Sequence, residues 1–327
     1  MEKNIGITGL GAYLPEKRLT NKDLEKIVDT SDEWIVTRTG IKERRIAPEG
    51  FASSDLGAEA AKEALKDAGV KPEDIDLIIT ATITGDMAFP STACIIQNKI
   101  GAFNAAAFDI NAACSGFIFG LVIARHFVEI GTYKNILVIG TEKLSSIVDW
   151  TDRSTCVLFG DGAGACVVSR TQERRFISSF LGSDGSGAEL LLQPAGGSRM
   201  PASEETIKNR MHFLKMSGNE VFKMAVKVMA DAANKVVQDA GLTCSDIDLL
   251  IPHQANIRIL TQVAKKMGLS EDRIFLNIDR YGNMSAASTA VALVEAGKDQ
   301  NLLKKGDHVI LVAFGAGLTY GAIAIEW

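Results

Sequence analysis

A thiol, an imidazole and a carboxamide stand at three points of this chain where nucleophilic chemistry is possible. Cys114 lies in Asn111-Ala112-Ala113-Cys114-Ser115-Gly116. Before it, residues 105–110 read as a short buried strand; after it, residues 117–124 form an apolar run. A cysteine at a strand-to-helix turn meets the unpaired N–H groups and the positive end of the helix, which favour a thiolate. His253, in Ile251-Pro252-His253-Gln254-Ala255-Asn256, interrupts an apolar strand and is followed by polar residues. Asn283 follows Gly282 in Tyr281-Gly282-Asn283-Met284-Ser285. Together the three offer a nucleophile, a proton-handling group and a polar orienting group. Each also has a plainer reading: a small buried hydrophobe, a structural histidine, a turn asparagine. His126, His212 and His308 fit that plainer reading, in a helix, in a polar segment and at the start of a strand.

The elements that must position these residues are written twice. Asp67-Ala68-Gly69-Val70 precedes Asp74-Ile75-Asp76-Leu77-Ile78-Ile79, and 172 residues later Asp239-Ala240-Gly241-Leu242 precedes Asp246-Ile247-Asp248-Leu249-Leu250-Ile251. Each copy reads as a helix ended by glycine, a short loop and a buried strand. Helices over 54–68 and 218–240 precede the two copies; helices over 115–130 and 286–300, apolar strands over 135–139 and 309–313, and glycine-rich turns into a last strand follow them. Helices alternating with strands that are apolar on both faces indicate mixed or mostly parallel sheets covered by helices. Two α/β halves related by a pseudo-twofold axis are expected, residues 1–172 carrying the cysteine and 173–327 the histidine and asparagine. Residues 16–50, 84–97 and 182–217 read as insertions. The same offset takes Asn111 to Asn283, so the Cys114 and Asn283 turns correspond. All three candidates follow strand ends, where sites gather in α/β sheets.

Composition narrows the function classes. The 327 residues are 46% hydrophobic and 23% charged, ordinary for a soluble globular enzyme. A net charge of −5 argues against a general nucleic-acid binder. No apolar run reaches the roughly 18 residues of a membrane span. The first residues enter a strand pattern without the marks of a signal peptide. Five cysteines, odd in number and without metal-ligand spacing, suit reduced thiols in a cytoplasm.

The glycine-rich segments are weaker signals. Gly9-Leu10-Gly11 lacks the third glycine of a dinucleotide turn and runs towards Pro15. Residues 159–164 lack the Gly-Lys-Ser/Thr of a phosphate loop. Gly315-Ala316-Gly317 can place backbone N–H groups beside the other strand ends, as an oxyanion hole requires. Arg258, Lys265 and Lys266 share one face of a helix, and Lys223 and Lys227 add charge on another. These cations read either as solvated faces or as a docking site for an anionic partner.

Asn-Ala-Ala-Cys-Ser-Gly-Phe, Pro-His-Gln-Ala-Asn and Tyr-Gly-Asn-Met-Ser, in this order within the repeat, resemble the β-ketoacyl-acyl-carrier-protein synthase III enzymes. The resemblance spans essentially the whole chain, from residues 32–41 to Gly317-Leu318-Thr319-Tyr320-Gly321. It implies a thiolase-like fold, a five-layer α-β-α-β-α sandwich, and a homodimer that starts type II fatty-acid synthesis. Cys114 would accept an acyl group, often acetyl, from acyl-CoA. Malonyl-acyl-carrier-protein would then lose CO₂ and attack that thioester, His253 and Asn283 binding the malonyl carbonyl. The N–H groups of Cys114 and Ala316 would form the oxyanion hole, although Ala316 and Tyr320 depart from the glycine and tryptophan common there. The match assigns Trp34, Arg153, Arg38, Thr30 and Asn256 to CoA. It assigns Arg258, Lys223, Lys265 and Lys266 to the carrier protein, and Phe89 to the partner subunit's acyl pocket. No cofactor beyond CoA thioesters as substrates is implied. Priming of polyketide or alkylquinolone synthesis on the same scaffold, and a Cys-His-Asn thioesterase or other hydrolase, are the alternatives.

Overall fold

The computed structural model describes residues 4–327. The repeated elements are β1 (Ile5–Tyr13), α1 (Asp32–Thr39), α2 (Ser53–Ala68), β2 (Leu77–Ala81), α3 (Thr92–Ile100), β3 (Ala106–Ile110), α4 (Gly116–Glu129), β4 (Ile136–Lys143) and β5 (Asp161–Arg170), with the insertions that belong to them. The chain continues through β6 (Arg175–Ser183), α5 (Gly218–Asp239), β7 (Leu249–Pro252), α6 (Ile257–Met267), α7 (Ala286–Lys298), β8 (His308–Gly315) and β9 (Thr319–Glu326). Among the described residues the strands run β7-β8-β9-β6-β1-β5-β4-β2-β3. The order β2-β4-β5-β1 mirrors β7-β8-β9-β6, with the pairs β2/β4 and β7/β8 parallel and the rest of each series antiparallel. The two series meet at one pair, Gly6 with Arg175.

Strand periodicity builds the layers. Leu77, Ile79, Ile136 and Val138 face inward with Leu249, Ile251, Val309 and Leu311, and between them lie α4 and α7 through Phe117, Leu121, Ala290 and Leu293. The alternate residues Ile78, Leu137 and Ile139 face outward onto α2. Leu250, Ile310 and Val312 face outward onto α5 and α6. The result is the expected five-layer sandwich, α2 and α3 on one outside and α5 and α6 on the other. Gly9 and Gly11 owe their type to this packing. A Cβ on Gly9 would lie 2.4 Å from the Ala64 carbonyl oxygen, and one on Gly11 2.3 Å from that of Ala60. They let α2 press on the backbone of β1 and hold no dinucleotide turn.

One local expectation is corrected. Residues 105–110 do not form a buried strand: β3 is the edge of the sheet, Ala106 is exposed and the rest only half-buried. The segment over 182–217 carries short strands and the helix Glu204–Lys208. Its Leu191, Leu192 and Leu214 form a wall of the central cavity. No helix among the described residues is long and apolar enough to cross a membrane.

Candidate active site

Cys114 occupies a tight 3₁₀ turn, Ala113–Ser115, directly ahead of α4. The turn is locked from the opposite half of the molecule. The Ser115 and Thr319 hydroxyls lie 2.8 Å apart and share the Ala112 carbonyl at 2.8 and 2.7 Å. Gly315, the last residue of β8, approaches so closely that a Cβ there would lie 2.6 Å from the Cys114 nitrogen. Only glycine permits this approach, which brings the Gly315-Ala316-Gly317 turn beside the nucleophile.

His253 follows β7 and is almost fully buried. Its N–H donates to the Val312 carbonyl and its own carbonyl accepts from Ala255 N–H, both at 2.8 Å, so the backbone fixes the ring's origin. Gln254 beside it spends its amide on the Pro252 and Phe275 carbonyls and on the N–H groups of Asn277 and Ile278. Asn283 is pinned by its backbone, which donates to the Leu158 carbonyl at 2.9 Å and accepts from Gly160 N–H at 3.0 Å. The residue 159–164 turn thus positions Asn283. Its side-chain oxygen accepts from Ser285 N–H at 2.8 Å. With that oxygen occupied, the NH₂ end is left to donate into the site.

All three residues line one cavity of about 830 Å³, together with Ala316, Trp34, Arg38, Asn256 and Arg258. Its walls are otherwise mainly apolar, with Ile83, Leu144, Ile147, Val157 and Phe159 among them. The N–H groups of Cys114 and Ala316 have no hydrogen-bond partner among the described residues. Two unpaired donors on the same cavity wall are available to a ligand oxygen.

Burial sets the protonation of the site. It lowers the His253 pKa to about 3, so the ring is neutral at physiological pH. Burial also pushes the Cys114 thiol up to about 12, with Ser285 pulling it down and Glu142 pushing it further up. Burial thus opposes the thiolate that the helix N-terminus was expected to favour. Desolvation outweighs the attraction of the helix N-terminus, and Cys114 must lose its proton as it reacts.

The outer candidates fall into three groups. Trp34, from the first insertion, has the Arg38 guanidinium 4.9 Å and the Arg153 guanidinium 5.1 Å from its ring. Arg153 also donates to the Asp29 carbonyl, and Thr30 lies off the cavity with its hydroxyl buried and unpaired. Asn256 caps α6, accepting from Arg258 N–H at 2.9 Å and donating to the Arg38 carbonyl at 3.0 Å. Its amide thereby ties α6 to the end of α1. Arg258 stands at the cavity mouth and lies over Phe222. With Phe222, Lys223 and Thr261 it also lines an adjoining groove. Lys265 and Lys266 are exposed in the last turn of α6, outside both hollows. Phe89 is 84% exposed, far from typical for a phenylalanine.

Ser285 and Glu142, absent from the sequence candidates, also act on the Cys114 thiol. One signal was available: Glu142 is an acid in a strand that opens with the apolar run Ile136-Leu137-Val138-Ile139.

Residues 108–185 match the family described as 3-oxoacyl-[acyl-carrier-protein (ACP)] synthase III, and residues 237–327 match its C-terminal family. The chain is similar to the β-ketoacyl-[acyl-carrier-protein] synthase III of Caldanaerobacter subterraneus subsp. tengcongensis, with 60% identity over 98% of this chain and 97% of the relative. The enzyme of the same description from Clostridioides difficile is 54% identical, covering 100% of this chain and 99% of its own. The crystal structure of 3-oxoacyl-[acyl-carrier-protein] synthase III from Aquifex aeolicus superposes with a TM-score of 0.90 at 48% identity, over 99% of this chain and all of that one.

Proposed function

This chain belongs to the 3-oxoacyl-[acyl-carrier-protein] synthase III family and is a condensing acyltransferase, and from that premise we propose how its residues divide the work. The observation that carries the reading is the meeting of Cys114, His253, Asn283 and two unpaired N–H groups on one cavity.

Cys114 attacks the thioester carbonyl of an acyl-CoA primer, expected to be acetyl, and CoA leaves. The Cys114 and Ala316 N–H groups stabilise the charge that develops on the carbonyl oxygen. Malonyl-acyl-carrier-protein then enters. His253, neutral because it is buried, donates a hydrogen bond to the malonyl thioester oxygen beside the Asn283 NH₂. Loss of CO₂ leaves an enolate that these donors stabilise, and its carbon attacks the Cys114 thioester. Decarboxylation supplies the carbanion, so the proposed reaction calls on no metal or redox group.

Trp34 and the arginines at its ring receive the nucleotide of CoA, with Thr30 beside them; Asn256 shapes the arm's passage by holding α6 to α1. Lys223 and Arg258 at the mouth, with Lys265 and Lys266 beyond, attract an acidic carrier protein. A homodimer would cover the exposed Phe89 and bring it to the partner's acyl pocket. The absence of a membrane-crossing helix among the described residues is compatible with a cytoplasmic enzyme.

The test separates the two half-reactions. His253→Ala is expected to lower malonyl decarboxylation by ~10²–10³-fold, the cost of one oxyanion donor, while Cys114 acylation stays within tenfold. The reverse order contradicts the division of roles. Cys114→Ala should abolish acyl transfer; retention of it contradicts the nucleophile.

A further inference from the structure

Gln254 adjoins His253 in sequence, yet the reaction above gives it no task. It is 1% exposed and lies off the cavity, so it meets no substrate. A carboxamide can donate two hydrogen bonds and accept two, and Gln254 makes all four inside the protein. Its Nε2 donates to the Pro252 carbonyl at 2.8 Å and to the Phe275 carbonyl at 3.1 Å. Its Oε1 accepts from Asn277 N–H at 3.0 Å and from Ile278 N–H at 3.2 Å. Every partner is backbone, so the side chain ties main chain to main chain.

One end of the tie is the His253 turn. The ring has no anchor of its own there, since its Nδ1 is buried without a hydrogen-bond partner among the described residues. Its place comes from the main chain, through the Pro252 carbonyl on Gln254 and the His253 N–H on the Val312 carbonyl. The other end is the short helix Ile278–Tyr281, which leads through Gly282 into Asn283. The first N–H groups of a helix need acceptors, usually from the side chain just ahead of it. Asn277 holds that position but caps nothing, because its amide donates to Glu295 on α7 at 2.8 Å. Gln254 supplies the cap instead, from the end of β7. Glu295 also accepts from the Tyr281 hydroxyl and from Arg280, which fastens the helix to α7. Gly282 N–H closes the helix on the Ile278 carbonyl at 2.9 Å, so the place of Ile278 is passed on to Asn283.

We propose that Gln254 sets the separation of His253 and Asn283, and with it the convergence of their two donors on one malonyl oxygen. The inference rests on the division of roles given above. Donors that stabilise an enolate must already point at the place where charge develops. A single amide that caps the helix before Asn283 and holds the carbonyl before His253 fixes that aim. Its partners, Pro252, Phe275, Asn277 and Ile278, all belong to the half that carries His253 and Asn283. The Cys114 turn is held separately, by Thr319 and Gly315. Loss of the tie therefore falls on the malonyl step and spares acylation. Gln254 is a positioning residue in this scheme, since it acts only through its two neighbours.

The test follows two single turnovers by intact mass: formation of acyl-Cys114 from acetyl-CoA, and its discharge by malonyl-acyl-carrier-protein. Gln254→Met keeps the length and loses every hydrogen bond. It should slow discharge by ~10²-fold, the cost of a misplacement of about 1 Å, with acylation within threefold of the unmodified protein. Gln254→Glu keeps the acceptor and, ionised, loses both donors. It should slow discharge at least tenfold, and decides the matter if Gln254→Met fails to fold. In a His253→Ala background the separation no longer matters, so Gln254→Met should there cost at least fivefold less than it does alone. Equal slowing of both turnovers, full additivity with His253→Ala, or no change overturns the proposal. Discharge untouched by His253→Ala defeats the division of roles itself, whereas normal discharge in Gln254→Met beside an impaired His253→Ala defeats only the role of Gln254.

Discussion

Replacing Gly315 by alanine tests how tightly β8 frames the nucleophile. The added Cβ would lie 2.6 Å from the Cys114 nitrogen, 3.1 Å from the Ala113 Cβ and 3.2 Å from the Ser115 nitrogen. An ordinary van der Waals contact begins at 3.4 Å, so the turn or the strand must retreat by about 0.8 Å. The obstacle is backbone, which cannot swing aside as a side chain would. Overpacking of this kind costs about 1–3 kcal/mol. An unfolding entropy of about 2.1 cal/mol/K per residue over this chain makes that a fall in Tm of roughly 1.5–4 °C. Activity should suffer more than stability. A displacement near 1 Å moves both the thiol and the Cys114 N–H, and costs on the order of 10²-fold in kcat/KM. Gly185→Ala is the control, because a Cβ there meets nothing within 4 Å. Thermal melts and acyl-transfer kinetics on both variants decide the matter. Gly315→Ala with kcat/KM within threefold of the unmodified protein, and an unchanged Tm, refutes the framing of Cys114 by β8.

The buried ring of His253 should be silent in a titration. Its ¹⁵N or ¹³C resonances should show no protonation between pH 5 and 8, since its folded pKa is depressed to about 3 from 6.5. The unfolded chain binds that proton first, so this residue's share of stability is present above about pH 6.5 and is lost as pH falls towards 3. His253→Gln should accordingly lose less stability than the unmodified protein between pH 6.5 and 4, measured by denaturant melts. Lys265→Glu combined with Lys266→Glu should weaken use of malonyl-carrier protein more than use of acyl-CoA, and the gap should shrink as salt rises. Equal losses for both substrates count against the docking face.

The parts of the fold legible in the sequence were those where one face must be buried. The 172-residue repeat marked β2 and β7, and the mirrored strand order follows it. His253 was legible because it breaks the end of an apolar strand, whereas Asn283 follows the short helix Ile278–Tyr281 and not the strand end expected for it. Other features depend on what lies across the fold. Residues 106–110 are apolar enough to read as buried, but an edge has no neighbour on one side. The thiolate expectation used the local helix and could not weigh the desolvation of a buried turn. Gly9 and Gly11 resembled a ligand turn because glycine serves both a phosphate and a helix that comes too close for a side chain.

The central claim is that Cys114 carries the primer as a thioester that a malonyl unit, not water, removes. The direct measurement is the intact mass of the protein after incubation with acetyl-CoA, before and after malonyl-acyl-carrier-protein is added. The account predicts one acetyl per chain on Cys114, stable for hours in buffer and discharged within seconds by malonyl-carrier protein with formation of the 3-oxoacyl product. An adduct that hydrolyses as quickly without the malonyl substrate would identify a thioesterase and contradict the account.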